Sequence, residues 1–524
     1  MSGVNRRDFL QGGAAALLAR YRRPVHPADA GTTPQFSTTD AGWQSTYDRA
    51  LAVLAGNVQM LPRFDRPVLI EGANYAGVWL ECGPHEGLVY RRFRPDVARN
   101  NHLTFFALQR EDGQIPANNK RTEAGLGQIQ MVVPIAATAW ELARATGDDE
   151  LLQRAYASCS RWDDWLMRYR NTRGTGLVEG FCTYDTGHDN SPRWAGLPNQ
   201  CPGKDAKVLP PDHGLPRLCP DLSSTVYGGR VALARMARAL GKQGEEDLWA
   251  ERAEKIRKLI IEKLYVPEDG AFYDLDAHGR FIRIRSDVLS RVCGEHVVTQ
   301  PIFESMWQKQ LHNPAAFWAA YPLPSIALDD PSFVRPIPAN SWGGASQALT
   351  ALRAPRWLEH YGKPAQLAFL MKRWCEAIQR DGTFRQQLDP ATGVFTEAGP
   401  PGYSPAALVM IDFTWRLAGI REEEDSLEWN VRPDPLAAHG GRFSIPFDRH
   451  HSAAMHYDSK GATLSVDDRH VARIEGGTVR LTTDRSGRPR RFTGISEKTE
   501  EISVRFAAEP ARKIAVRPNQ TVQL

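Results

Sequence analysis

The chain of 524 residues contains no uninterrupted apolar run that approaches the roughly 18 residues of a membrane-spanning helix. It also lacks a marked excess of either charge: 65 Lys and Arg stand against 61 Asp and Glu. Nothing in that balance points to a nucleic-acid partner. The seven cysteines (Cys82, Cys159, Cys182, Cys201, Cys219, Cys293 and Cys375) include no Cys-x-x-Cys pair, which removes the usual spacing of a structural zinc site. Their odd number leaves a free thiol in any disulfide scheme, although one bridge among Cys182, Cys201 and Cys219 is compatible with their loop-rich stretch. No P-loop, dinucleotide fingerprint or Gly-x-Ser-x-Gly elbow is present. What remains is an ordinary globular composition, 42% hydrophobic and 24% charged, with 14 Trp. That is more indole than a core of this size needs, so some Trp are expected to line a site.

The mild basicity sits at the front. Residues 1–30 hold five Arg and two Asp. Arg6-Arg7-Asp8-Phe9-Leu10 is similar to the twin-arginine export motif, followed by a short apolar run from Gly12 to Ala19 and a small-residue Ala28-Asp29-Ala30. The segment is read as a removable export signal and set apart from the fold. The expected location is periplasmic or secreted.

From about residue 42 to 420 the pattern is helix after helix. Apolar residues recur at three-to-four spacing over 128–146, 149–168, 222–240, 245–264, 300–311, 347–361, 364–378 and 405–417. With weaker candidates the count is about eleven or twelve, joined by short turns, which suits a ring of six hairpins. Long loops over 171–220, 321–344 and 381–404 carry Trp, Asp, Arg and Asn rather than filler. Loops of that length in a compact domain are usually functional. After residue 424 the period changes to two, as in Ala462-Thr463-Leu464-Ser465-Val466 and Glu501-Ile502-Ser503-Val504-Arg505-Phe506. The expected organisation is mainly α: an (α/α)6 barrel over 31–424 and a small sandwich-like β domain over 425–524. β-like signals around 67–90 suggest a hairpin leading into the barrel.

The sharpest segment is Gly187-His188-Asp189-Asn190-Ser191-Pro192-Arg193-Trp194. Asp189 lies in a turn-forming setting. A carboxylic acid in a partly apolar pocket has a raised pKa and can act as a general acid. Arg193 can fork onto a carboxylate or sugar hydroxyls, and Trp194 offers a flat face to a sugar ring. The same residues read equally well as a turn cap with its structural ion pair.

This block resembles the general-acid motif of glycoside hydrolase family 63 and the related trehalases. Further matches follow in order. They are Asp112-Gly113-Gln114-Ile115-Pro116, Gln128-Ile129-Gln130, the stretch from Pro324-Ser325 to Trp342-Gly343-Gly344, Asp389-Pro390-Ala391-Thr392-Gly393, and Gly402-Tyr403-Ser404-Pro405-Ala406-Ala407-Leu408. The resemblance covers roughly 60–420. It implies a six-hairpin barrel, no metal or organic cofactor, and inverting hydrolysis by two carboxyls about 6.5–9.5 Å apart. Asp189 takes the acid role. The family's base, a Glu three residues before the Asp-Pro, is replaced here by Gln386, and an amide cannot take a proton from water. Glu397, in the same loop, is the first candidate to replace it.

Glu81, His85 and Glu86, read as a turn after Trp79, are further candidates for the site, as are Gln128, Trp342, Gln386 and Tyr403. Trp79 and Trp342 fit either sugar platforms or buried helix-end aromatics. The expected partner is an oligosaccharide or glycoside. Two alternatives stay open: eliminative cleavage of a uronate polymer, with His85, His102, His188 or Tyr403 as base, and glycan binding without cleavage.

Overall fold

In a computed structural model, residues 33–396, 400–433, 440–447, 451–507 and 509–524 are described. The segment read as an export signal and Glu397 therefore lie outside the described residues. The molecule is helix-rich, with strands gathered toward the C-terminus. In chain order the helices are α1 (Ala41–Gly56), α2 (Gly83–Tyr90), α3 (Pro95–Ala107), α4 (Ile135–Thr146), α5 (Asp149–Tyr169), α6 (Pro220–Ala239) and α7 (Gln243–Leu264). They continue with α8 (Val288–Gly294), α9 (Gln300–Met306), α10 (Ala348–Arg353), α11 (Pro355–Leu358), α12 (Pro364–Asp381) and α13 (Ser404–Ala418). Among the described residues no helix is long and apolar enough to cross a membrane.

Local chemistry sets the helix ends. Gly147 closes α4 in the left-handed region (φ 67°), where glycine carries no Cβ penalty. The next residue, Asp148, caps α5 by accepting from the Leu151 amide at 2.9 Å. Two helices are thus reversed within two residues. The apolar stripe predicted over 128–146 becomes helical only from Ile135, because Pro134 lies at the cap and Gln130 has a φ of 42°. The stretch predicted as one helix over 347–361 is broken at Ala354 by Pro355, whose ring removes an amide donor.

Burial separates two kinds of helix. Nearly every residue of α2, α10 and α13 is buried. In α7 only Trp249, Ala253, Ile256, Ile260 and Leu264 are buried, one stripe at three-to-four spacing with the other face in water. The buried helices touch in sequence: α2 packs on α4, α4 on α6, α6 on α8, α8 on α11, α10 on α13, and α13 back on α2. Helices α3, α5, α7 and α12 flank them.

The C-terminal strands form two antiparallel sheets, one of seven strands and one of five. Two boundaries differ from those expected. Gln35–Thr38, assigned to the barrel, pairs with Gly441–Pro446 in the seven-stranded sheet. The five-stranded sheet begins at Ile420, ahead of residue 425, because Ile420–Glu422 pairs with Ser426–Val431. The hairpin expected over 67–90 is also only partly strand. Val58–Leu61 pairs with Phe64–Leu69, and Gly83–Tyr90 is helical. The β unit is fastened to the helices by Arg480, which donates to both oxygens of Glu359 at 2.7 and 2.9 Å. Asn519 adds a second tie by accepting from the Ala365 amide at 2.9 Å.

Candidate functional site

The long loops converge. The Met131 amide donates to the Asp185 carbonyl at 3.0 Å, Trp342 to the Asp189 carbonyl at 3.0 Å, and Ser404 to the Glu71 carbonyl at 2.8 Å. Loops that follow α3, α5 and α9 are thereby tied together, and those that follow α1 and α12 are tied to each other.

The 187–194 block is a scaffold for one carboxyl group. Gly187 has a φ of +62°, and a Cβ there would lie 1.6 Å from Glu81 Oε2. Only glycine lets the Glu81 carboxylate approach this turn. His188 is buried between Asp287, whose Oδ1 is 2.7 Å from Nε2, and Arg193, which donates to Nδ1 at 2.9 Å. Ser191 caps a short turn by accepting from the Arg193 amide.

Arg193 is not available to a sugar. Its guanidinium spends all five N–H donors on Asp221, Asp274 and His188, at 2.6–2.9 Å. Burial alone would raise the Asp221 carboxyl, but the Arg193 charge and hydrogen bonds hold it at about 2. Trp194 is likewise a correction to the sequence reading. It is buried, donates through Nε1 to Thr186 at 2.9 Å, and lies beneath the Arg193 and Arg217 guanidiniums. Among the described residues one cluster, Cys219, Asp221 and Asp274, has ligand atoms at metal-like spacing, and both its carboxylates already hold Arg193.

Asp189 keeps its side chain for the site. Burial pushes its carboxyl up to about 6, opposed by a hydrogen bond from Asn340 Nδ2 at 3.2 Å. Asn340 Oδ1 accepts from Gln386 Nε2 at 3.1 Å, and Gln386 Oε1 accepts from the Tyr75 hydroxyl at 2.9 Å. A polar relay thus runs Tyr75–Gln386–Asn340–Asp189. Sequence reasoning missed Asn340 and Tyr75. The one local sign is the backbone of Asn340, in the left-handed region at φ 44°, a conformation Asn tolerates. Removing the Asn340 amide takes a donor from the ionised form of Asp189. Asn340→Ala is therefore expected to move the Asp189 titration above its value of about 6. Carboxyl-resolved NMR or difference infrared titration measures the shift, and an unmoved or lowered midpoint contradicts it.

Behind Asp189 lie more acids. Burial raises Glu81 to about 7, against the pull of Arg353 and with a push from Asp189, and Gln130 hydrogen-bonds it. Glu86 is also held at about 7 by burial, eased by the Cys82 thiol. Glu71 is raised well above the carboxylate range by burial and by Glu86 and Glu81, while the buried Tyr403 hydroxyl donates to it at 2.5 Å. Glu71 was not foreseen. The turn expected at His85 and Glu86 is the first turn of α2, entered through Gly83-Pro84, and both residues are buried. Burial and the Arg356 and Arg353 charges hold His85 neutral.

His102 is tied to the Ala98 carbonyl and Thr138, each at 2.9 Å. His102 and His188 thus have both ring nitrogens engaged, while His85 is enclosed with its Nδ1 unpartnered. Tyr403 serves Glu71. Gln128 is buried and bonds Gln130 and Gln200 at 3.1 and 2.8 Å. Trp342 is buried, with Arg291 5.1 Å and His188 5.2 Å from its ring. It therefore supports the site rather than offering an open platform. Trp79 is half-buried and meets Tyr75 edge-on at 5.5 Å, and Tyr75 in turn bonds Gln386.

The family model of the mannosylglycerate hydrolase MGH1-like glycoside hydrolase domain matches residues 75–415. The chain belongs to this family. It is a glycoside hydrolase, with the Asp189 loop and the relay both inside the matched span. No curated protein matches the chain in sequence. Among solved structures, the family 63 mannosylglycerate hydrolase from Thermus thermophilus in complex with Tris superposes with a TM-score of 0.58 at 19% identity, covering 70% of this chain and 100% of that one. The neutral trehalase from Saccharomyces cerevisiae gives 0.51 at 16% identity, over 70% and 79%. A structure described as a sialidase gives 0.63 at 16%, over 86% of this chain and 41% of that one. At these identities the likeness is one of fold.

Proposed function

We propose that this family member is an exported, inverting α-glycosidase built on a closed (α/α)6 barrel. Support for closure is the order of helix contacts, which returns from α13 to α2. Support for export is the Arg6-Arg7 segment. In the reaction, Asp189 protonates the leaving glycosidic oxygen, and Glu397 activates the water that attacks from the opposite face of the sugar. The observation that carries the acid role is the Asp189 carboxyl, held near a pKa of about 6 at the end of the Tyr75–Gln386–Asn340 relay, in a loop anchored through His188 and Arg193. For the base, Gln386 supplies only an amide. Thr396, next to Glu397, is bonded to Gln387 through its Oγ1 at 2.9 Å, which ties Thr396 to the short strand Gln387–Leu388 that follows Gln386. Tyr75 and Trp79 contact the sugar, and Gln386 hydrogen-bonds substrate or water.

The test is hydrolysis of short α-glycosides, mannosylglycerate and trehalose among them, with the first-formed anomer read by NMR. A β-anomer product is expected. Glu397→Gln should lower kcat by about 10²–10⁴-fold, the usual contribution of a general base. Partial rescue is expected when Gln386→Glu is added. Near-normal turnover of Glu397→Gln removes the base assignment, and release of α-mannose from mannosylglycerate, or of α-glucose alone from trehalose, removes inversion.

A further inference from the structure

The segment bearing Asp189 is bracketed by two thiols. Cys182 and Cys201 are both free and buried, and their Sγ atoms lie 3.9 Å apart. With Phe181 they form an apolar cluster separate from the main core. Their backbones are held on both sides of the gap. The Thr183 amide donates to the Pro198 carbonyl at 3.0 Å, Tyr184 to Asn199 at 3.1 Å, and Cys201 to Gly127 at 2.9 Å. The loop between them is thus closed by hydrogen bonds before any covalent bond forms. Among the described residues no other two cysteines are in contact, so the pairing has no competitor.

We propose that Cys182–Cys201 is an oxidative cross-linking site, taking a disulfide donor as co-reactant and stapling the acid-bearing loop shut. The sulfurs have to close from 3.9 Å to the roughly 2.05 Å of a sulfur–sulfur bond. The two thiols differ in their surroundings. Arg170, paired with Asp185, also donates to Cys201 Sγ at 3.7 Å, while burial pushes the Cys182 thiol well above its ordinary value, so Cys201 is assigned the first attack. Cys201 loses its proton and attacks one sulfur of the donor, such as oxidised glutathione, expelling a thiolate. Cys182, deprotonated in turn, attacks the Cys201 sulfur of the mixed disulfide and expels the second thiolate. Two S–H bonds are lost and one S–S bond is formed. Two electrons pass to the donor, which leaves as two thiols. Access to Cys201 runs beneath the exposed strip of Ala195, Gly196, Pro198 and Asn199, which is short enough to open locally.

A chain folded in a reducing compartment would carry the two thiols in register and lock them after reaching an oxidising one. The cross-link itself requires no particular location. It also requires no particular substrate, so its test is independent of the glycosidase assignment.

The full-length protein is treated with oxidised glutathione, both folded and during refolding in a glutathione buffer, then denatured and alkylated. Five alkylated cysteines per chain are expected in place of the seven of the reduced form, with peptide mapping joining Cys182 to Cys201. Cys182→Ala and Cys201→Ala should each keep all their remaining thiols. Limited proteolysis between residues 183 and 200 should slow by about tenfold in the cross-linked protein relative to either variant. Seven alkylated thiols under both protocols, a stable glutathione adduct, or a bridge between other cysteines overturns the proposal. Unchanged proteolysis of a cross-linked chain overturns the stapling role.

Discussion

Asp189→Asn is expected to cut glycoside turnover by about 10²–10⁴-fold, the usual contribution of a positioned general acid, while leaving substrate affinity within a few-fold of the parent. The replacement is nearly isosteric. Asn340 can still meet the carbonyl oxygen, and the backbone bond from Trp342 is untouched. What disappears is the proton. In the parent that proton is present below the raised pKa of about 6, so kcat should fall as pH rises through that value. In the variant this limb should vanish. Steady-state kinetics across pH, paired with calorimetric binding, separates the two effects. A variant that keeps more than about a tenth of parent turnover takes the acid role away from Asp189. A variant that loses affinity and turnover together makes Asp189 a binding residue. Leaving groups that need no protonation, such as a glycosyl fluoride, should be cleaved with a much smaller loss.

The second large effect falls on stability. Arg193→Met removes the cation shared by two buried carboxylates, Asp221 and Asp274. Removing one partner of a buried ion pair typically costs about 3–5 kcal/mol. Here the loss leaves Asp274 without that cation and Asp221 with only the longer contact to Arg291, at 3.4 Å. The folded pKa of Asp221, about 2, lies below the unfolded value of roughly 3.9. Its ion pair therefore contributes stability above the unfolded pKa and loses it as pH falls through the folded one. The difference between parent and variant in denaturant midpoint should be full at neutral pH and shrink between about pH 4 and 2. A neutral-pH loss below about 1 kcal/mol would mean the cluster is not holding the loop.

These two residues show what could be read beforehand. The residue types in the 187–194 block pointed to Asp189 and to a carboxylate partner for Arg193. Composition could not say that the partners are Asp221 and Asp274, 28 and 81 positions away. A guanidinium serves a sugar or an ion cluster with the same five donors, and only the fold decides. The helices were visible because their apolar spacing is local. Their ends were less so: Pro134 and Pro355 cut stripes whose periodicity runs through them. Glu81 was singled out, yet the reason it matters came from Gly187, more than a hundred residues on. Asn340 carries no motif, and its role exists only because a loop crosses over Asp189. Gly83-Pro84 was read as a turn, although proline in the first turn is equally a way to start a helix.

The pairing of Gln35–Thr38 with Gly441–Pro446 has a temporal consequence. Helix α1 packs on α12 and α13, so strand and helix at the front both wait for partners made at the back. During synthesis at about 5–20 residues per second, the opening two dozen or so residues of the described chain stay unsatisfied for roughly 20–80 seconds, until the last helix and the first strands of the β unit emerge. Contacts of such sequence separation form slowly because loop closure precedes their reward. The helical domain is therefore latched by its own two ends, and the latch is the last part to engage.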